Sequence, residues 1–367
     1  MTRSALILGS GLALAACGGG SSGTGDTPDA VTQRDGTGGV DGATGTDGRD
    51  PVDAVPRSYS CGAFTEDPGW TLTAGYHAVV IADAADGLDQ PVALTFAGGG
   101  FGGDLYVVNQ GGAGTLLRVD VVAGTAAPFT ATWPVAPGLL TSITWDRARA
   151  LSGGLYVGDQ GGDGDADSRV FAVDETGDAS TFASAPGAGL DDIYTIVVSP
   201  GGAYPPGLIV SGDTDGAGID WGVISATGEV APFTDTAGAE GAAIDRAGTY
   251  GGGLFAARPA GGGYAGDDTV AKIDDEGVAQ AALASTLPGV HAPAFAPAGP
   301  FGGQLHAASW ATGELYALSP AGEQAVLASG LTLTNYDGNI LDFSPDGRVL
   351  MVADRGASRV VCIEPLP

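Results

Sequence analysis

Positive charge is scarce in this chain. Lysine and arginine total 14 against 43 aspartates and glutamates, a formal charge of −29, and Lys272 is the single lysine. Such an acid excess excludes a phosphate-tracking nucleic-acid protein, whose basic residues would supply the affinity. It equally excludes a polybasic grip on anionic lipid, and it suits a surface kept soluble by like charge. Cysteine is rare too, at three residues, too few for a disulfide-dense scaffold or a four-cysteine metal knot. Histidine is confined to His77, His291 and His306. No apolar run reaches the about 20 residues that a membrane-spanning helix needs. The Gly-x-Ser-x-Gly elbow, His-Glu-x-x-His and the P-loop are all missing.

The chain opens with Met1-Thr2-Arg3, short and positive, followed by an apolar or small stretch over 4–16 with Leu6, Ile7, Leu8, Leu12 and Leu14 as its bulk. That is the length of a signal-peptide hydrophobic region. It ends in Leu14-Ala15-Ala16-Cys17, which resembles the lipobox of bacterial lipoproteins. The resemblance implies removal of the signal peptide 1–16, a lipid on Cys17 and anchoring in the cell envelope. Gly18, where an Asp would favour the inner membrane, is compatible with the outer one. Residues 17–60 run in Gly, Ser, Thr, Asp and Pro with almost no bulky apolar side chain. Such a segment cannot offset the entropy of ordering. It is expected to be a disordered tether holding a folded domain, 61–367, away from the membrane.

Within that domain the sequence repeats. Glycine-rich steps lead into marker leucines at Leu105, Leu155, Leu208, Leu254, Leu305 and Leu350. The spacing, about 45–53 residues, is that of a four-stranded propeller blade. Each unit offers short apolar or alternating strands between Gly/Pro turns, and helical periodicity is absent. The fold class is therefore all-β, a six-bladed β-propeller. The last unit runs out after Ser358–Ile363, one strand short, while residues 76–82 form a strand with no unit of its own. The two ends are expected to share the last blade, which removes exposed sheet edges. With Cys17 lipidated and the exported chain oxidised, Cys61 and Cys362 are left to form a disulfide across that blade.

Leu88-Asp-Gln-Pro-Val-Ala-Leu-Thr-Phe96 with Asp104–Val108, and Phe343-Ser-Pro-Asp-Gly-Arg-Val-Leu-Met-Val-Ala-Asp354, resemble blades of NHL and SMP-30/gluconolactonase-type propellers. The opening Gly75–Asp83 resembles the start of sorbosone-dehydrogenase-like propellers. These likenesses cover residues 70–367 and bear on architecture more than activity, because one blade type serves enzymes and scaffolds alike. The SMP-30 resemblance implies a divalent metal held by carboxylate and amide oxygens at the channel mouth. Aligned first strands place Val92, Thr141, Tyr194, Glu240, His291 and Asn339 at one level. Glu240, His291 and Asn339 then offer side chains able to hold a divalent cation, or line a polar, water-filled rim. A second set lies in one loop: Asp163, Asp165 and Asp167 alternate as calcium-loop carboxylates do, or stand solvated in an acidic hairpin. His77 and His306 fall on predicted strands and read as packing residues. A quinone cofactor would need a basic pocket, so no organic cofactor is expected.

Two functions follow. The first is a monomeric cell-envelope lipoprotein whose propeller is a binding scaffold for a protein or glycan partner, with no nucleic acid. The second is a metal-dependent hydrolase of the lactonase or phosphotriesterase type, acting at the channel mouth.

Overall fold

A computed structural model describes residues 57–62, 64–111, 114–130, 132–161, 168–184, 192–212, 221–234, 241–258, 267–334 and 338–367. All belong to one compact unit, Arg49–Pro367. Cys17, and with it the proposed signal peptide and most of the tether, lies outside the described residues.

Each repeat folds into one antiparallel sheet, giving six sheets. Blade 1 runs outwards as Pro91–Ala97, Asp104–Asn109, Thr115–Asp120 and Thr125–Pro128. The later blades begin with inner strands Leu140–Trp145, Thr195–Val198, Gly241–Asp245, Val290–Phe295 and Leu341–Phe343. Each inner strand touches the next, and the sixth touches the first. The chain is a six-bladed β-propeller.

The marker leucines identify the second strand of every blade. All six, Leu105, Leu155, Leu208, Leu254, Leu305 and Leu350, are 0% exposed. These strands are covered on both faces by neighbouring blades, so they read as apolar runs rather than as alternating ones. The glycine pairs before them have a backbone cause. Gly102 and Gly103 both sit at φ 77°, Gly302 at 67° and Gly303 at 66°. Two consecutive left-handed residues turn the chain from inner to second strand, a conformation that a Cβ disfavours.

Closure follows the expected plan. Blade 6 takes Tyr76–Ala82 as its outermost strand, antiparallel to Arg359–Pro365, with Val79 opposite Cys362. Cys61 and Cys362 are disulfide-bonded across a sequence separation of 301. Two further features were not read from the sequence. Thr71–Leu72 adds a fifth strand to the edge of blade 5. Packing also begins at Arg57, ahead of the boundary at 61. Arg57 and Arg118 both pair with Asp104, the Tyr59 hydroxyl donates to Gly103 O at 2.6 Å, and Tyr59 N donates to Asp346 at 3.2 Å. The segment from 57 to 72 is thus a strap reaching blades 1, 6 and 5.

The lead-in to blade 6 runs down the channel along blade 1. Gly338 N donates to Val92 O and Leu94 N donates to Asn339 O, both at 2.9 Å. A Cβ on Gly338 would lie 1.8 Å from Thr141 O of blade 2. Only glycine lets the backbone pass here.

Candidate binding site: the two mouths of the central channel

The inner strands run parallel, so the channel has an N-terminal mouth, where they start, and a C-terminal mouth, where they end. At the N-terminal mouth the last residue of the second strand is polar and buried in five blades: Asn109, Asp159, Ser211, Ser309 and Asp354. Asn109, Asp159, Ser309 and Asp354 each grip the backbone step by which the chain enters the inner strand of their own blade. Asn109 accepts from Asp89 N at 3.0 Å and donates to Gly87 O at 2.9 Å. Asp159 accepts from Gly138 N at 3.0 Å and Leu139 N at 2.9 Å. Ser309 donates to Pro288 O. Asp354 accepts from Thr332 N and its hydroxyl, both at 2.8 Å, and is also held by Arg359 at 2.8 Å. In blade 4 the third strand supplies the group, with Val290 N donating to Asp268 at 3.1 Å. These polar groups satisfy backbone that would otherwise be buried without partners. Burial raises the Asp159 carboxyl pKa, against the pull of the Gly161, Leu139 and Gly138 N–H groups and of Arg169.

Of the predicted channel residues, Asn339 and His291 are described. Asn339 bridges blades: its Oδ1 accepts the Thr195 hydroxyl at 2.7 Å, and its Nδ2 donates to Ile196 O at 3.3 Å and Ile143 O at 3.4 Å. It joins blades 2, 3 and 6 from within the channel. His291 is 1% exposed, its ring edge-on to Trp310 at 6.3 Å. Glu240 lies outside the described residues, as do Asp163, Asp165 and Asp167. The base of that acidic loop is described. Arg169 Nε lies 3.3 Å from Asp159 Oδ2, and the Ser168 hydroxyl donates to Gln160 O at 2.8 Å. His306 is buried among Phe301 and Phe343, and burial lowers its pKa to about 4.

The C-terminal mouth differs, and its residues were missed. Two inner strands end in the same tripeptide, Asp146-Arg147-Ala148 in blade 2 and Asp245-Arg246-Ala247 in blade 4. In an arginine-poor chain that repeat was the available signal. The aspartates hold the following turns. Asp146 accepts from the backbone N–H groups of Ala150, Leu151, Ser152 and Gly153 at 2.7–3.0 Å. Asp245 accepts from Tyr250 N at 2.7 Å and Gly252 N at 2.9 Å. Each arginine N–H folds back on the carbonyl two residues earlier, Arg147 to Trp145 at 2.9 Å and Arg246 to Ile244 at 3.0 Å. The two side chains therefore start from equivalent points, with blade 3 between them. Arg147 lies over the Trp145 ring at 5.4 Å. Arg246 is exposed to solvent yet crowded by the concave mouth. Its pKa is lowered by that crowding first and by the charge of Arg147 second, with Asp146 opposing. Facing them from blade 6, Asp342 accepts from Phe96 N and Phe343 N at 2.8 Å and from the Thr95 hydroxyl at 3.1 Å. Burial raises its carboxyl pKa, and Arg147 is among the groups that pull it back.

Two other places gather polar side chains without forming a site. Cys61, His77 and Glu364 bring three metal-ligand types together, but the Cys61 sulfur is in the disulfide and Glu364 accepts from Cys61 N at 2.8 Å. A groove of about 300 Å³ beside the N-terminal strand is lined by Phe64, Glu66, Val80, Asp83 and Asp86 among others. Asp83 and Asp86 are tied into a capping box of their own turn.

No protein-family model matches this chain, and no curated protein matches it by sequence. Solved structures do. The PQQ-bound aldose sugar dehydrogenase of Streptomyces coelicolor superposes with a TM-score of 0.54 at 18% identity, over 80% of this chain and 99% of that one. An auxiliary nutrient binding protein of Bacteroides ovatus gives 0.56 at 13% identity, over 80% and 77%. The soluble aldose sugar dehydrogenase of Escherichia coli, in its apo form, gives 0.55 at 17% identity, over 79% and 99%. The likeness shows the fold. It reaches enzymes and a binding protein alike.

Proposed function

We propose that this chain is a cell-envelope lipoprotein, anchored through Cys17 in the outer membrane, whose propeller is a binding scaffold for a protein or glycan partner. The observation that supports it most is the locking of the ring. A shared blade, a disulfide, a strap over three blades and a polar grip between blades fix the surface in advance, and a pre-organised surface loses little freedom on binding. The nutrient-binding function named for the Bacteroides ovatus structure is compatible with this reading. At 18% identity the quinone of the Streptomyces coelicolor structure belongs to that protein, and no organic cofactor is proposed here.

The test uses the mature chain without its lipid, immobilised and offered envelope glycans and solubilised envelope proteins. The expected result is saturable retention of one class, with no turnover of lactones or phosphoesters. Metal-dependent hydrolysis of either substrate, or sugar oxidation on adding a quinone, would replace the scaffold with an enzyme. In cells, Cys17→Ala should release the protein from membranes, because about 0.8 kcal/mol per buried methylene is then missing.

A further inference from the structure

Most described cations have protein partners. Arg57 and Arg118 pair with Asp104, Arg169 with Asp159, Arg348 with Asp346 and Arg359 with Asp354. Arg355 donates to Gln90, Gln110 and Thr334, and Lys272 donates to Gly251 O at 2.9 Å. Among the described residues, no ion pair or side-chain hydrogen bond engages the guanidinium of Arg147, Arg149 or Arg246. Arg149 lies against the exposed Gly99 of blade 1, which leaves Arg147 and Arg246. Their aspartate neighbours do not fill that role, because Asp146 and Asp245 are turned to the backbone of the next turn.

The two arginines also share a place. They leave equivalent turns of blades 2 and 4 at one mouth of one channel. Blade 3, between them, carries Ser199-Pro200-Gly201-Gly202 there, with no long side chain and with both glycines exposed. Trp145 steadies Arg147 from one side, as an aromatic face does for a planar cation. Like charges brought to one concave mouth disfavour each other, and the penalty is relieved when an anion sits between them. Planar guanidinium forks match the oxygens of a carboxylate or phosphate, with charge-assisted hydrogen bonds. The Asp342 carboxylate, anchored opposite by Thr95 and Phe96, bounds the place and would repel a second anion.

We propose that the C-terminal mouth of the channel binds one oxyanion group, carboxylate or phosphate, between Arg147 and Arg246. This deepens the scaffold reading and rests on it for the biological role, since the group would be the recognised end of a partner or small ligand.

The test is calorimetric titration of the lipid-free mature chain with inorganic phosphate in one arm and with acetate in the other. Binding of at least one anion at one per chain is expected. Arg147→Gln and Arg246→Gln should each weaken it about tenfold or more, the worth of one charge-assisted hydrogen bond. The double variant should show no binding, and Arg348→Gln, on the outer surface, should match the wild type. Asp342→Asn should tighten binding by removing a like charge. The arm that responds identifies the group. Two results overturn the site: no heat with either anion at millimolar concentration, or unchanged affinity in the folded double variant. The two readings fail separately. If anions bind but no glycan or protein is retained, the scaffold falls and the site stands. If the double variant keeps a partner at full affinity and binds anions as the wild type does, the site falls and the scaffold stands.

Discussion

Both mouths of the channel use buried carboxylates to hold backbone turns, but the C-terminal mouth also carries two arginines whose side chains hold none among the described residues. At the N-terminal mouth Asn109, Asp159, Ser309, Asp354 and Asn339 all have hydrogen-bond partners on backbone steps or neighbouring blades. At the C-terminal mouth Arg147 and Arg246 have no ion pair and no side-chain hydrogen bond among the described residues, and Arg147 lies over the face of Trp145. Residue type does not separate glue from available chemistry, because both mouths are polar. What separates them is whether the hydrogen-bonding capacity is already filled. The comparison makes a mechanical forecast: substitutions at filled positions cost stability, and substitutions at unfilled ones cost binding alone.

The largest effect is expected at the seam rather than at either mouth. Cys61→Ser and Cys362→Ser each remove one cross-link, worth about 5 kcal/mol by the chain-entropy account for so long a loop. Both should lower the urea midpoint equally, and the double variant should match the singles. Two free thiols by intact mass in exported wild-type protein would break this expectation.

His306 supplies the next. Its folded pKa, about 4, lies below the ordinary value near 6.5. Between these values the unfolded chain binds the extra proton, so stability rises with pH and is lost as pH falls through that window. The loss should approach about 3 kcal/mol at the acid end. Urea denaturation across the window should show a shallower acid slope for His306→Leu, and an unchanged slope would place the sensitivity elsewhere.

Filled positions come third. Asp354→Ala strands the Thr332 N–H and the Arg359 guanidinium and should cost about 2–4 kcal/mol. Asp159→Ala, which strands Gly138 and Leu139, should fall in the same range. At the small end, Arg147→Gln and Arg246→Gln should shift stability by about 0.5 kcal/mol or less. If either cost as much as Asp354→Ala in thermal unfolding, the contrast between the mouths would be lost.

Much of the ring was legible because it repeats. Six buried leucines at a blade-sized interval, glycine pairs before them and an unpaired strand at residues 76–82 were enough for blade number and closure. The site was harder to read, for a physical reason. Asn339 offered an amide at the right level, but its partners Thr195, Ile143 and Ile196 are set by how far the 338–340 backbone leans into the channel, and Gly338 permits that lean. A side-chain alignment cannot see it. The acids Asp163, Asp165 and Asp167 and the residue Glu240 lie outside the described residues, while Asp159, first in that acidic run, belongs to the frame. The Asp-Arg-Ala repeat was visible, but its meaning depends on two non-adjacent blades reaching one rim. The Thr71–Leu72 strand is too short for any periodic signal.

The strap has a consequence for force. Traction on the chain ahead of Arg57 meets the Arg57–Asp104 pair and the Tyr59 contacts first, and then the covalent bond at Cys61. The strand Tyr76–Ala82, held to its neighbours by hydrogen bonds and core packing but by no covalent link of its own, lies beyond that bond. A pull from the N-terminal side is therefore carried into Cys362 at the heart of blade 6, and the outermost strand is not peeled away. With the disulfide reduced, the same pull would act directly on Thr71–Leu72 and then on Tyr76–Ala82, unzipping the ring at its joint.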